Sequence, residues 1–290
     1  VPAPEKKRNN YTAVQWGEHY VTYSELFARA HCIARFLKRS NIRSGSVIGI
    51  CTSSDPVNFV AAVTGTLMAG CCFVILSPGE TGNRLNVLAG HVHIHPVFVD
   101  DPSNLDVTAG TVLLDHRFYR PAGPQPGDPV NPDSPAFLAF QRHPEEQSAG
   151  AVTVTVAQLE HYALWFGRFA GSPGPVRVGV TGEPLGDRCV SIILAAIHLG
   201  GTICFSFPGE WTGSRYLHLL HLEPGGMKRL LSCGSGDFSH IGTVLLEEED
   251  ITPGDVREWF RVFGTGVPAV NVLPVGGTGL PDMCYRLSPD

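Results

Sequence analysis

The sequence predicts an α/β protein made of two similar, mostly parallel sheets flanked by helices. Three observations carry this. Apolar runs of strand length alternate with helix-length segments, the pattern of a parallel sheet covered on both faces. The alternation occurs twice, as an internal repeat. The chain's 290 residues, 43% hydrophobic with 33 glycines and 23 prolines, are enough for two such units around a buried core.

The repeat is legible residue by residue. At an offset of 133, Val21, Thr22, Leu26, Ala30, Arg35 and Phe36 fall on Val154, Thr155, Leu159, Ala163, Arg168 and Phe169. The offset then shortens to 130, and Gly49, Gly70, Pro78, Gly79 and Glu80 fall on Gly179, Gly200, Pro208, Gly209 and Glu210. Each unit opens on a threonine placed to cap a helix with apolar residues on one face. A buried strand follows, Val47–Cys51 or Val176–Val180. A buried apolar helix comes next and ends at Gly70 or Gly200, where a left-handed cap is expected. Cys72–Leu76 or Thr202–Phe207 forms a further strand. A Pro-Gly turn opens another helix, and a last strand, Val97–Val99 or Arg229–Leu231, closes the unit. The resulting division is 1–120 for the first α/β subdomain, 121–150 for a linker and loop, and 151–290 for the second subdomain.

Composition excludes several functions. A net charge of −6 does not make a nucleic-acid footprint. The uncharged runs Val57–Leu76 and Val190–Phe207 contain Asn, Thr and Gly and read as buried helix, turn and strand, not as membrane spans. VPAPEKKRNN is too polar for a signal peptide. The eight cysteines contain no CxxC pair, which fits a reduced, cytoplasmic protein. Cys71-Cys72 reads as a pair of inert core thiols. The chain begins with Val1 and reads as a piece of something larger. Only four lysines occur, Lys6, Lys7, Lys38 and Lys228. The last two are placed at the end of a surface helix and before a strand.

Several phrases together carry a family resemblance. They are Ala13-Val-Gln-Trp-Gly-Glu18, Val21-Thr-Tyr-Ser-Glu-Leu26, Gly45-Ser-Val-Ile-Gly-Ile50 and Ala69-Gly-Cys-Cys-Phe-Val-Ile-Leu-Ser-Pro78. In these the chain resembles the adenylate-forming superfamily, above all the adenylation domains of nonribosomal peptide synthetases. The resemblance implies the N-terminal two-sheet core of that fold. It implies that the family's third, barrel-like subdomain and its small C-terminal domain are absent from these 290 residues. It also implies ATP-dependent activation of a carboxylate, with Mg²⁺.

The residues that should do this chemistry are replaced. The family's phosphate loop is rich in Ser, Thr and Gly and ends in a lysine; backbone N–H groups and the ammonium hold the phosphates. The aligned residues are Gln141, Arg142, His143, Pro144, Glu145 and Glu146, with Ala149 at the lysine position before Gly150. Two carboxylates facing a triphosphate repel it, at about 4 kcal/mol for each contact near 4 Å at an effective dielectric of 20. Pro144 also removes an N–H donor. A second family motif supplies an adenine contact, a phosphate-binding hydroxyl and a metal-binding carboxylate; here only Asn271 is kept, and Gly276 and Gly277 replace the other two. A third motif holds the substrate's amino group through an Asp, and Asp187 falls there. A solvated Asp at a helix start is the plainer reading of that residue.

Two further patterns have plain readings. His91, His93 and His95 share one face of a strand without a carboxylate or cysteine at ligand spacing, and read as a solvated surface. Glu247–Asp250 reads as a solvated charge run. The sequence therefore predicts a non-catalytic adenylation-like unit with no cofactor. It would serve as a platform for neighbouring condensation and carrier-protein domains. The alternative is an amino-acid or acyl adenylating or binding module with an altered site, in which ATP and Mg²⁺ return and Asp187 anchors an amine.

Overall fold

In the computed structural model of the chain, the first helix of each unit starts at a capping threonine. The structure describes residues 10–52, 55–76, 93–101, 110–119, 131–140, 151–171, 175–181, 187–205, 216–223, 225–232, 239–247, 250–274 and 281–289. Thr22 caps α1 (Tyr23–Arg39) and Thr155 caps α3 (Val156–Phe169), each in a reciprocal capping box, with Glu25 and Gln158 respectively. Asp55 caps α2 (Pro56–Met68), its carboxylate accepting from the Val57 and Asn58 N–H groups. The matching helix of the second unit is α4 (Asp187–His198). Gly70 and Gly200 both stand at φ +70°, the left-handed geometry expected of them.

Fourteen strands among the described residues form two sheets. The six-stranded sheet runs β6-β5-β3-β4-β7-β8, with β3 Val47–Cys51, β4 Cys72–Ile75, β5 Ile94–Val99, β6 Thr111–Leu113, β7 Pro135–Phe140 and β8 Ala151–Thr155. The eight-stranded sheet runs β14-β13-β12-β11-β9-β10-β1-β2. Its strands are β1 Thr12–Trp16, β2 His19–Thr22, β9 Arg177–Val180, β10 Thr202–Phe205, β11 Leu219–Leu222, β12 Val244–Leu246, β13 Ala269–Pro274 and β14 Pro281–Arg286.

The order of the six-stranded sheet recurs in six strands of the other, which adds β13 and β14 beyond β12. β3, β4, β5 and β6 correspond to β9, β10, β11 and β12. The hairpin at the opposite edge of each sheet is exchanged. The hairpin that leads the first unit, β1–β2, pairs with β10 of the second. The hairpin that leads the second unit, β7–β8, pairs with β4 of the first. Each half thus completes the other's sheet. A hydrogen bond of 2.7 Å from the Tyr23 hydroxyl to the Gly201 carbonyl ties the two halves again.

One expected strand is a helix. Val97 pairs with Gly49, and Leu220 pairs with Gly179, so the strand matching β5 is β11 at Leu219–Leu222. Arg229–Leu231 lies in α5 (Gly226–Ser232), where Met227 and Leu230, three apart, share the buried face. Lys228 is therefore helical. The last helix, α6 (Pro253–Phe263), is capped by Thr252 and buries Trp259.

The main core lies between the sheets, where α1, α2, α3 and α4 meet inward residues of both. α1 and α2 approach closely at Gly65, where a Cβ would stand 2.6 Å from the Ala30 carbonyl oxygen. α5 and α6 cover the outer face of the eight-stranded sheet at β11–β13. The outer face of the other sheet buries Cys51, Cys72, Val74, Leu76, Val97 and Val99. Burial pushes the Cys71 thiol up to about 11 and the Cys72 thiol up to about 12, as inert core thiols require. No described helix is long and apolar enough to cross a membrane.

Candidate functional site

In an open parallel sheet, ligands bind beyond the carboxyl ends of the strands, where the strand order reverses. In the eight-stranded sheet the chain runs from β9 out to β10, then back across β9 to β11, so the reversal lies between β9 and β11. Thr181 follows β9, and its N–H and hydroxyl both donate to the His221 carbonyl, at 3.3 and 3.2 Å. His221 lies within β11, and Glu247 follows β12. The His221 Nε2 stands 3.1 Å from the Glu247 carboxylate, with side chains only 1% and 2% exposed. Tyr162 of α3 completes the group: burial and the Glu247 carboxylate hold its hydroxyl well above the usual range for tyrosine.

Sequence reasoning missed this pair. Glu247 is no part of a solvated run; it is buried and paired, although Asp250 is exposed. The available signal was its position directly after an apolar strand, and its partner 26 residues earlier was not legible. A histidine beside a carboxylate can orient a proton acceptor. Here the burial of both side chains keeps a dissolved ligand from the imidazole.

The residues picked from sequence fall as follows. Asn271 lies in β13, fully buried, and its side-chain amide donates 2.9 Å to the Tyr285 hydroxyl on β14. Asp187 is the first residue of α4. Gln141, Arg142, His143, Pro144, Glu145, Glu146, Ala149 and Gly150 lie outside the described residues, as do Gly276, Gly277 and His91. The flanks of the loop are described: β7 and β8 pair antiparallel up to Phe140 and Ala151. In the matching hairpin, Gly17 and Glu18 alone join Trp16 to His19. Ten residues, 141–150, thus separate β7 from β8 where two separate β1 from β2. His93 and His95 are exposed, with ring centroids 6.1 Å apart.

A sequence profile of AMP-binding enzymes matches residues 3–154. The chain belongs to the AMP-binding enzyme family. It is 24% identical over 257 residues to the NRPS-like oxidoreductase fscA of Fusarium equiseti, covering 82% of this chain and 24% of that protein. It is 24% identical over 280 residues to nonribosomal peptide synthetase 8 of Aspergillus fumigatus, covering 88% of this chain and 3% of that protein. The chain thus spans a quarter or less of these relatives. Its fold matches the crystal structure of ATP-bound MatB from Rhodopseudomonas palustris with a TM-score of 0.81 at 16% identity, over 99% of this chain and 61% of that one. The nonribosomal peptide synthetase FmoA3 gives a TM-score of 0.80 at 18% identity, over 98% of this chain and 32% of that one. At these identities the structural likeness speaks for the fold, which is that of the adenylation-domain two-sheet core.

ATP and Mg²⁺ are the groups this family implies. Of the positions that the sequence resemblance sets against them, Arg142, Glu145, Glu146, Ala149, Gly276 and Gly277 lie outside the described residues. The retained Asn271 gives its amide to Tyr285, inside the β13–β14 hairpin. A cavity between α2, α3 and α4, lined by Leu67, Val156, Leu159, Ala163, Leu194 and His198, has a volume of about 30 Å³. That is roughly the space of one water.

Proposed function

We propose that this chain is a catalytically inactive adenylation-like unit of a nonribosomal peptide synthetase or a related assembly line. In this reading it serves as a platform for neighbouring condensation and carrier-protein domains. The observation that carries the reading is a contrast within one chain. Both sheets, both capping boxes and both left-handed glycine caps are kept, while the lysine, the hydroxyl and the metal carboxylate are replaced together. The buried His221–Glu247 pair supports it, because it fills the carboxyl edge where an activated substrate would be expected.

ATP–pyrophosphate exchange, run on the chain with the proteinogenic amino acids and a set of aryl and alkyl acids, tests the proposal. Exchange at background for every acid is expected. Exchange above background with any acid overturns the proposal and favours an adenylating module with an altered site. Ala149→Lys alone should leave exchange at background, because the other replaced positions remain.

A further inference from the structure

Among the described residues, α5 and α6 cover only part of the outer face of the eight-stranded sheet. Across β9, β10, β1 and β2 the register aligns Gly179, Cys204, Gln15 and Tyr20, with Arg177 two residues before Gly179 on the same face. The Arg177 guanidinium reaches over this row. Its Nη2 donates to the Gln15 amide oxygen at 3.0 Å and to the Cys204 sulfur at 3.3 Å. The Arg177 N–H donates to the Nδ1 of His218, at 3.1 Å. Burial and the Arg177 charge hold the His218 imidazole below its usual range, so it is neutral and adds no competing cation.

Arg177 has no carboxylate within ion-pair distance among the described residues. Its Nε is shut off from solvent with no acceptor. A partly buried guanidinium in this state has lost hydration without gaining the fork-to-fork carboxylate pairing that suits it. Two tyrosines flank it in the open. Tyr20 is 69% exposed on edge strand β2, and Tyr216, its ring 5.2 Å from that of His218, is 52% exposed just before β11.

The repeat supplies an internal control. The positions matching Arg177, Cys204 and Gln15 in the six-stranded sheet are Val47, Val74 and Leu138. Val74 and Leu138 are 0% and 7% exposed, in an apolar cluster. The same part of the fold is thus an apolar face in one sheet; in the other, half-buried Arg177 and Gln15 and exposed Tyr20 stand beside the buried Cys204 and Gly179. Arginine and tyrosine are the residues most used as anchors in protein contacts.

We propose that this face docks an acidic segment of a partner protein, with one carboxylate on Arg177 and apolar neighbours on Tyr20 and Tyr216. From β2 to β11 there are four strand spacings, about 19 Å at 4.8 Å each. About six extended residues span that distance. The inference draws on the platform reading for the role of the contact and not for the contact itself. Peptide binding and pyrophosphate exchange are separate measurements, so either can fail alone.

The test is selection of ten-residue phage-displayed peptides on the 290-residue chain, with counter-selection on Arg177→Gln. Enrichment of peptides carrying Asp or Glu beside Leu, Ile or Phe is expected. A synthetic copy, followed by fluorescence anisotropy, should bind Arg177→Gln about tenfold more weakly. Its Asp→Asn or Glu→Gln version should lose binding, and added salt should weaken what remains. Tyr20→Ala, at an exposed site that leaves the fold intact, should also weaken binding and gives a second readout should Arg177→Gln fold poorly. Failure to enrich acidic peptides, or equal affinity for both variants and the parent, overturns the proposal.

Discussion

The two sheets share an order over six strands and differ at their carboxyl ends. Register matches His221 to Phe98 and Glu247 to Leu114. Phe98 and Leu114 are 0% and 2% exposed in the central core. His221 and Glu247 are as deeply buried, yet they form a hydrogen-bonded couple. The comparison teaches that the fold does not demand the pair, because the same positions accept apolar side chains in the other half. The pair belongs to this sequence, and it replaces packing with a polar contact at the edge where ligands of such sheets bind.

The largest expected effect comes from breaking that pair. Glu247→Ala leaves the His221 imidazole buried without its partner, and should cost about 3–5 kcal/mol in urea unfolding. The double variant His221→Phe with Glu247→Leu imports the residues of the other sheet. It should be neutral or more stable by about 1–4 kcal/mol. A double variant as damaged as the single one would break the equivalence of the two edges.

Gly201 matches Cys71, which carries a side chain without conflict. At Gly201 a Cβ would stand 2.3 Å from the Val176 carbonyl oxygen. Gly201→Ala should therefore destabilise by about 1–3 kcal/mol, while Cys71→Ala only trims a thiol.

The capping boxes give a smaller and sharper comparison. Thr22→Ala and Thr155→Ala should each cost about 1 kcal/mol. Their pH dependence should differ. The Thr22 backbone and hydroxyl bonds hold the Glu25 carboxyl below its ordinary value. Its contribution is present above the unfolded carboxyl range, near pH 4.3, and is lost as pH falls through the lower folded value. Gln158 does not titrate, so the Thr155 cap keeps its value in acid. Glu25→Gln should remove the first cap's share of the acid-side loss, read from urea midpoints between neutral and acid pH.

The smallest effect lies at the α2–α3–α4 cavity. Repeat positions Tyr23 and Phe27 become Val156 and Glu160, two of the residues lining it. Val156→Ile should fill part of the space and stabilise by about 0.5 kcal/mol.

Much of this was legible in the sequence because it depends on local chemistry. Threonines before amphipathic runs mark caps, and Gly70 and Gly200 mark left-handed ends. The exchanged hairpins were not legible: β1 and β7 carry similar apolar patterns, and which sheet each joins is settled by tertiary packing. Arg229–Leu231 resembles a short strand in composition, but Met227 and Leu230 bury one helical face. The His221–Glu247 contact joins two strands through space, and a charged run on paper hid its first member inside the core. The residues set against the family's phosphate loop and metal positions lie outside the described residues, so that part of the reading rests on residue identity alone.

The central claim is that the core is kept while ATP handling is lost. Isothermal titration of ATP with Mg²⁺ into the 290-residue chain tests it most directly. The account predicts no saturable heat up to about 1 mM nucleotide, less than about 4 kcal/mol of binding free energy. A saturable one-to-one isotherm in the micromolar range would contradict it.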